Sequence, residues 1–209
     1  MQNKQLIIFD MDGTLIDSGN VITNTINFVR TNIGLDIMPK DELLTNLNNP
    51  DINSAKFFYG TKEFTPEQTE LFSHYYDKHC ISDIVLYDGI LDMLDEISRY
   101  FTLTVATNAS SDFASKMISY LNIDNYFDMI IGANDVQNPK PHPDMLLKTM
   151  KKLNVESKHS ILIGDSQKDL RAAKSANIDS MLVNWGFSDH DTDAYNCVYS
   201  LKDKILTLR

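Results

Sequence analysis

Uninterrupted apolar runs, each stopped by a polar or glycine residue, recur along this chain. Leu6-Ile7-Ile8-Phe9 stops at Asp10, Phe101–Ala106 at Thr107-Asn108, Met129-Ile130-Ile131 at Gly132, Ile161-Leu162-Ile163 at Gly164-Asp165, and Met181-Leu182-Val183 at Asn184. Runs of this length without polar alternation predict short strands buried on both faces. Between them the apolar residues change to helical spacing: Ile90, Leu91, Leu94 and Ile97, then Phe113, Met117, Ile118 and Leu121, then Met145, Leu146, Met150 and Leu153, with Pro143 suited to the first turn of that last helix. Strands alternating with helices predict an α/β fold, a Rossmann-like parallel sheet covered on both faces. Such sheets put their ligands beyond the carboxyl ends of the strands, so the polar residues that stop each run carry the functional interest.

One stretch breaks the alternation. From Leu15 to Tyr87 no strand is predicted, but helices are expected over Val21–Ile33, Lys40–Leu47 and Pro66–Cys80. This reads as an all-helical insertion, residues 15–87, entering a core formed by residues 1–14 and 88–209. Its entry and exit, after the first strand and before Asp88-Gly89, place it over the strand ends as a cap.

Charge narrows the partners. A formal net charge of -10 with no Lys/Arg cluster argues against nucleic acid, whose phosphate backbone is bound by grouped cations. A small anionic metabolite remains compatible, provided a metal or a placed lysine draws it in locally. The apolar run at residues 6–9 is too short for a signal peptide or membrane span, and Cys80 and Cys197 form no C-x-x-C pattern, so a cytoplasmic protein without disulfides or thiolate zinc is expected.

Asp10 and Asp12 lie two apart at a strand end, before a turn through Gly13 that can direct both carboxyl groups into one pocket. Paired carboxylates suit a hard cation, and a carboxylate attacking a phosphate needs Mg²⁺ to offset the repulsion between them. The same residues are equally common in a solvated turn. Thr107-Asn108 offers a hydroxyl and N–H groups for phosphoryl oxygens, or a plain helix cap. Asp165 ends another run and Asp169 follows four residues on, back toward the strand end or simply as an acidic first helical turn. Lys140 sits among Pro139, Pro141 and Pro143, where a held cation can face a phosphoryl group as readily as solvent.

Asp10-Met11-Asp12-Gly13-Thr14, Thr107-Asn108, Lys140-Pro141 and Gly164-Asp165 to Asp169 stand in the order used by the haloacid dehalogenase superfamily, which the chain resembles over nearly its whole length. It looks like the subgroup with a helical cap after the first strand, which includes phosphoglycolate phosphatases, pyrophosphatases and β-phosphoglucomutases. The resemblance implies that Asp10 is the nucleophile, forming an aspartyl phosphate, and that Asp12 is the general acid and then the base. It implies Mg²⁺ held by the Asp10 and Asp165 carboxylates and the Asp12 carbonyl, with Asp169 as ligand or support. Thr107, Asn108 and Lys140 would hold phosphoryl oxygens, Lys140 also offsetting the carboxylates. Thr14 would orient Asp10. Asn177 replaces a common family glycine after the last motif helix, in a left-handed cap that Asn also adopts.

The resulting expectation is a Mg²⁺-dependent phosphatase acting on a small phosphate monoester such as phosphoglycolate. A phosphomutase is the nearest alternative, and would recruit cap cations such as Arg30, Lys56 or Lys62. A dehalogenase needs no acid at Asp12, and a receiver-like phosphoacceptor protein would have no cap. His74, His79 and His142 are read as ordinary residues, the cap aromatics Phe57, Phe58, Tyr59, Phe72, Tyr75 and Tyr76 as helix packing, and Trp185 as core packing. Oligomeric state is not readable.

Overall fold

The computed structural model describes residues 4–187 and 193–209. In chain order the elements are β1 (Leu6–Phe9), β2 (Ile16–Asp17), α1 (Gly19–Asn32), α2 (Lys40–Leu47), α3 (Ser54–Tyr59), α4 (Pro66–His79), β3 (Val85–Leu86), α5 (Ile90–Ile97), β4 (Thr102–Ala106), α6 (Ser111–Tyr120), β5 (Met129–Ile131), α7 (Asp144–Leu153), β6 (Ser160–Gly164), α8 (Gln167–Ala176), β7 (Asp179–Val183), β8 (Ala194–Tyr195) and α9 (Val198–Leu206).

β1 lies inside a six-stranded parallel sheet of order β5-β4-β1-β6-β7-β8. Every residue of β1 is buried, which is why the run Leu6–Phe9 shows no polar alternation. Alternation reappears in what each side chain touches. Ile7 and Phe9 join the cluster with Leu94 of α5, Met117 of α6 and Leu201 of α9, whereas Leu6 and Ile8 join Met145 and Leu146 of α7 and Ala172 and Ala173 of α8. Truncating a side chain buried as fully as Phe9 costs about 3–5 kcal/mol, so this strand is anchored from both faces.

The chain leaves β1 outward through β4 and β5, then returns to the other side of β1 with β6. The order therefore reverses at the β1/β6 boundary, where open α/β sheets bind ligands. Phe9 pairs with Val105 and with Ile163, so Asp10 emerges level with Ala106 and Gly164, one residue before Thr107 and Asp165 on the flanking strands.

Some expectations shift. The stretch between Leu15 and Tyr87 does contain strands, because β2 and β3 pair antiparallel at the root of the insertion, Ile16 with Leu86 and Asp17 with Val85. Two-residue strands carry no periodicity to read. In α5 Met93 is buried along with Ile90, Leu94 and Ile97, whereas Leu91 is 49% exposed. The helices α3 and α9 and the edge strand β8 add to the elements expected. No helix among the described residues is long and apolar enough to cross a membrane.

The inserted helices pack on one another, with Arg30 of α1 donating to the carbonyls of Asp36 and Phe58. Contacts on both sides tie them to the core. Lys168 Nζ of α8 donates to the Leu47 carbonyl at 2.8 Å, Arg171 forms a forked pair with Asp51, and Lys116 of α6 pairs with Asp77 at 2.9 Å. The insertion is thus held over the strand ends, and the space between it and the sheet is a cavity of about 630 Å³.

Candidate active site

Asp10 and Asp12 lie in that cavity, on a turn made by repeated use of one carbonyl. The Met11 oxygen accepts from the N–H groups of Leu15 at 2.9 Å and Ile16 at 3.0 Å, while Gly13 N–H donates to the Ile16 carbonyl at 2.9 Å. Gly13 has φ +84°, a left-handed conformation, and a Cβ there would stand 2.3 Å from Asp165 Oδ2. Glycine is required on both counts. Gly13→Ala is expected to lower the melting temperature by roughly 2–8 °C, from about 1–2 kcal/mol of backbone strain, before any displacement of Asp165. Thermal unfolding checks this, and an unchanged melting point would mean the turn relaxes freely.

Lys140 is the charge centre of the site. It is buried to 4% exposure, and its Nζ donates to Asp10 Oδ1 at 2.6 Å and Asp169 Oδ1 at 2.7 Å. Its loop is fixed by Asn108, whose Nδ2 donates to the Lys140 carbonyl at 2.9 Å. Asn108 also lines the cavity. Asp169 serves twice: Oδ2 accepts from Ser166 N–H at 3.2 Å in the capping box that starts α8, and Oδ1 pairs with Lys140. Asp169 therefore closes the helix cap and also turns a carboxylate oxygen to Lys140.

Asp10, Asp165 and Asp169 bring carboxylate oxygens within 4.8 Å of one another, all buried. Oxygen donors at this spacing fit a hard divalent cation such as Mg²⁺, and one lysine does not neutralise three carboxylates. Asp165 Oδ2 accepts from Phe187 N–H at 2.8 Å, and its two oxygens lie 3.3 and 3.4 Å from Asn48 Nδ2 of the inserted segment. Gly186 makes room for this: a Cβ there would meet the Gly13 carbonyl at 2.1 Å and Asp165 Oδ2 at 2.6 Å.

Asp12 stands apart from that trio. Its Oδ1 accepts from the Ser18 hydroxyl, and its Oδ2 lies 3.5 Å from Thr107 Oγ1, which itself accepts from Ala109 N–H at 3.1 Å. Ser18 was not a sequence candidate. It occupies the N-cap position of α1, where a hydroxyl normally caps the helix, but it makes no cap bond and turns to Asp12 instead.

Burial raises Asp10, Asp12 and Asp165. The Asp10 carboxyl is pushed up to about 7 by burial, with Lys140 opposing and the charges of Asp169 and Asp12 adding. Burial also raises Asp12, against the Ser18 hydrogen bond, and holds Asp165 well above the carboxylate range, aided by Asp10 and Asp169. Burial pulls the Lys140 ammonium down, but Asp10 and Asp169 outweigh it and keep it above the ordinary lysine range. An Asp12 that holds its proton more readily than usual suits proton transfer.

Other expectations need correcting. The Thr14 hydroxyl is buried without a hydrogen-bond partner among the described residues, Asp10 included; the Thr14 carbonyl accepts from Trp185 Nε1 at 3.0 Å, which fixes that ring against the turn. Phe58, Tyr59, Phe72 and Tyr76 line the cavity as well as packing between helices, whereas Phe57 and Tyr75 do not line it. Arg30, Lys56 and Lys62 are not among the cavity's lining residues, but Lys168 is. Asn177 takes the left-handed conformation expected of it, φ 55°.

With this geometry in view, similarity to known proteins becomes interpretable. The sequence model of the haloacid dehalogenase-like hydrolases matches residues 7–183. A phosphoglycolate phosphatase of Colwellia psychrerythraea is 29% identical over 224 aligned positions, covering 100% of this chain and 99% of that protein. One from Aquifex aeolicus is 29% identical over 184 positions, covering 88% of this chain and 86% of its own length. The crystal structure of a predicted phosphatase from Clostridium acetobutylicum superposes with a TM-score of 0.89 at 26% identity, covering 99% of this chain and 100% of the other. The matched span includes each acidic residue, threonine and lysine of the site, and the chain belongs to the haloacid dehalogenase-like hydrolases.

Proposed function

We propose that this hydrolase is a Mg²⁺-dependent phosphatase that cleaves a small phosphate monoester through an aspartyl phosphate on Asp10, with residues 15–87 as its cap domain. The observation that carries the reading is Lys140 bridging Asp10 and Asp169 beside Asp165, on the floor of a cavity that Asp12 also faces.

In the first step an Asp10 carboxylate oxygen attacks phosphorus while the ester P–O bond breaks, and Asp12 gives its proton to the leaving oxygen. In the second, Asp12 takes a proton from water, the water oxygen attacks phosphorus and the P–O bond to Asp10 breaks, returning the carboxylate and releasing phosphate. Ser18 and Thr107 hold Asp12 in position for both transfers. Lys140 offsets the charge that gathers on the phosphoryl oxygens, and Thr107 stands beside them. Asp10, Asp165 and Asp169, with the Asp12 carbonyl, would hold Mg²⁺, which supplies charge neutralisation between the attacking carboxylate and the phosphoryl group.

Phosphoglycolate is the reference ester, since relatives carry that name. Phosphate release from it and from other small esters should require Mg²⁺ and stop with EDTA; isomerisation of a sugar phosphate without net phosphate release would favour a phosphomutase instead. The absence of Arg30, Lys56 and Lys62 from the cavity lining weighs toward hydrolysis.

A further inference from the structure

The cavity has two unlike walls. Its floor carries Asp10, Asp12, Lys140 and Lys168, but among the described residues none of the side chains that the inserted segment contributes is charged. Much of that upper wall is apolar: Ile22 and Ile26 from α1, Ile52, Phe58 from α3, and Phe72 and Tyr76 from α4. Tyr76 stacks on Phe72 with ring centroids 5.4 Å apart and meets Phe113 of α6 edge-on at 5.0 Å. The Tyr76 hydroxyl is directed to Met117 Sδ at 3.5 Å.

A two-carbon acid uses little of this space. At about 630 Å³ the cavity falls within the roughly 300–1,000 Å³ typical of sites for larger organic ligands. A carboxylate packed against Phe58, Phe72 and Tyr76 would lose its water without gaining a cation, whereas an apolar ring there trades water for aromatic and aliphatic contacts.

We propose that the substrate's organic part is an uncharged, ring-sized apolar group packed against Phe58, Phe72 and Tyr76, rather than a carboxylate as in phosphoglycolate. This rests on the phosphatase reading above. The competing arrangement anchors a carboxylate on Lys168, whose Nζ already donates to the Leu47 carbonyl at 2.8 Å.

Benzyl phosphate and phosphoglycolate are both primary alkyl esters, so comparing them with Mg²⁺ separates wall contacts from gross leaving-group chemistry. Acetyl phosphate, which is too small to reach the wall, reports on the floor alone. The value of kcat/KM for benzyl phosphate should exceed that for phosphoglycolate at least about tenfold. Phe72→Ala should lower it for benzyl phosphate at least about tenfold more than for acetyl phosphate, and Ser73→Lys, at an exposed lining position, should move the ratio toward phosphoglycolate by a similar factor. Preference for phosphoglycolate, or equal losses for benzyl and acetyl phosphate in Phe72→Ala, overturns the assignment of the wall while the phosphatase reading stands. If neither ester nor acetyl phosphate is hydrolysed, the phosphatase reading falls and this inference with it.

Discussion

Asp10→Asn is expected to lose turnover by a factor of at least about 10⁴ while folding at least as well as the parent. An amide keeps the shape of the carboxyl and can still accept from Lys140, but it cannot form the acyl phosphate that divides hydrolysis into two steps. Folding is protected by the same electrostatics that raise Asp10 to about 7. At pH 8 without metal, an ionised Asp10 is less favourable in the native site than in the unfolded chain, so neutralising it relieves crowding among Asp12, Asp165 and Asp169. The variant should therefore melt no lower than wild type at pH 8 in EDTA, and lost activity cannot be assigned to lost structure. Phosphate release with Mg²⁺ and a melting curve together decide the matter. A variant retaining more than about a tenth of wild-type activity would remove Asp10 from the nucleophile's role.

What made Asp10 legible was its position. Strands buried on both faces read as solid apolar runs, so the residue that ends such a run is visible without a structure, and the sheet register brings Asp10, Thr107 and Asp165 together. Lys140 was legible through its prolines. Residues that support these groups were hidden because their signals belong to other structures. Ser18 looks like a helix cap, and only the tertiary turn of the chain sends its hydroxyl to Asp12. Asn48 reaches Asp165 across 117 residues of sequence. Gly186 and the Phe187 N–H matter through backbone proximity, which no side-chain pattern records. The aromatic wall was ambiguous for a different reason. An apolar helix face has the same spacing whether it covers a core or a cavity, so Phe72 and Tyr76 could be placed on a helix but not beside the site. The strands β2 and β3 were too short to leave a pattern.

Lys140→Met is expected to destabilise the metal-free protein by about 3–5 kcal/mol at pH 8, because methionine keeps an apolar stem but leaves Asp10 and Asp169 buried without their shared cation. For a chain of this size that is a fall of roughly 6–20 °C in melting temperature. Its pH dependence identifies the cause. Lys140 lowers the Asp10 carboxyl, so removing it raises that group beyond its present value of about 7. Between the unfolded value of 3.8 and the raised native value, the folded state binds a proton that the unfolded chain has released. Stability from this group is then present at the acidic side and lost as pH rises through the native value, and more is lost in the variant. The deficit relative to wild type should therefore shrink from pH 8 to pH 5, and Mg²⁺ at pH 8 should restore part of it by returning positive charge between the carboxylates. Turnover should fall by about 10²–10³, the usual consequence of removing one group that stabilises developing charge. Melting curves at the two pH values, with Mg²⁺ and with EDTA, test the argument: a deficit that ignores both pH and metal would make Lys140 a packing residue, and the charge balance drawn here for Asp10, Asp165 and Asp169 would have to be abandoned.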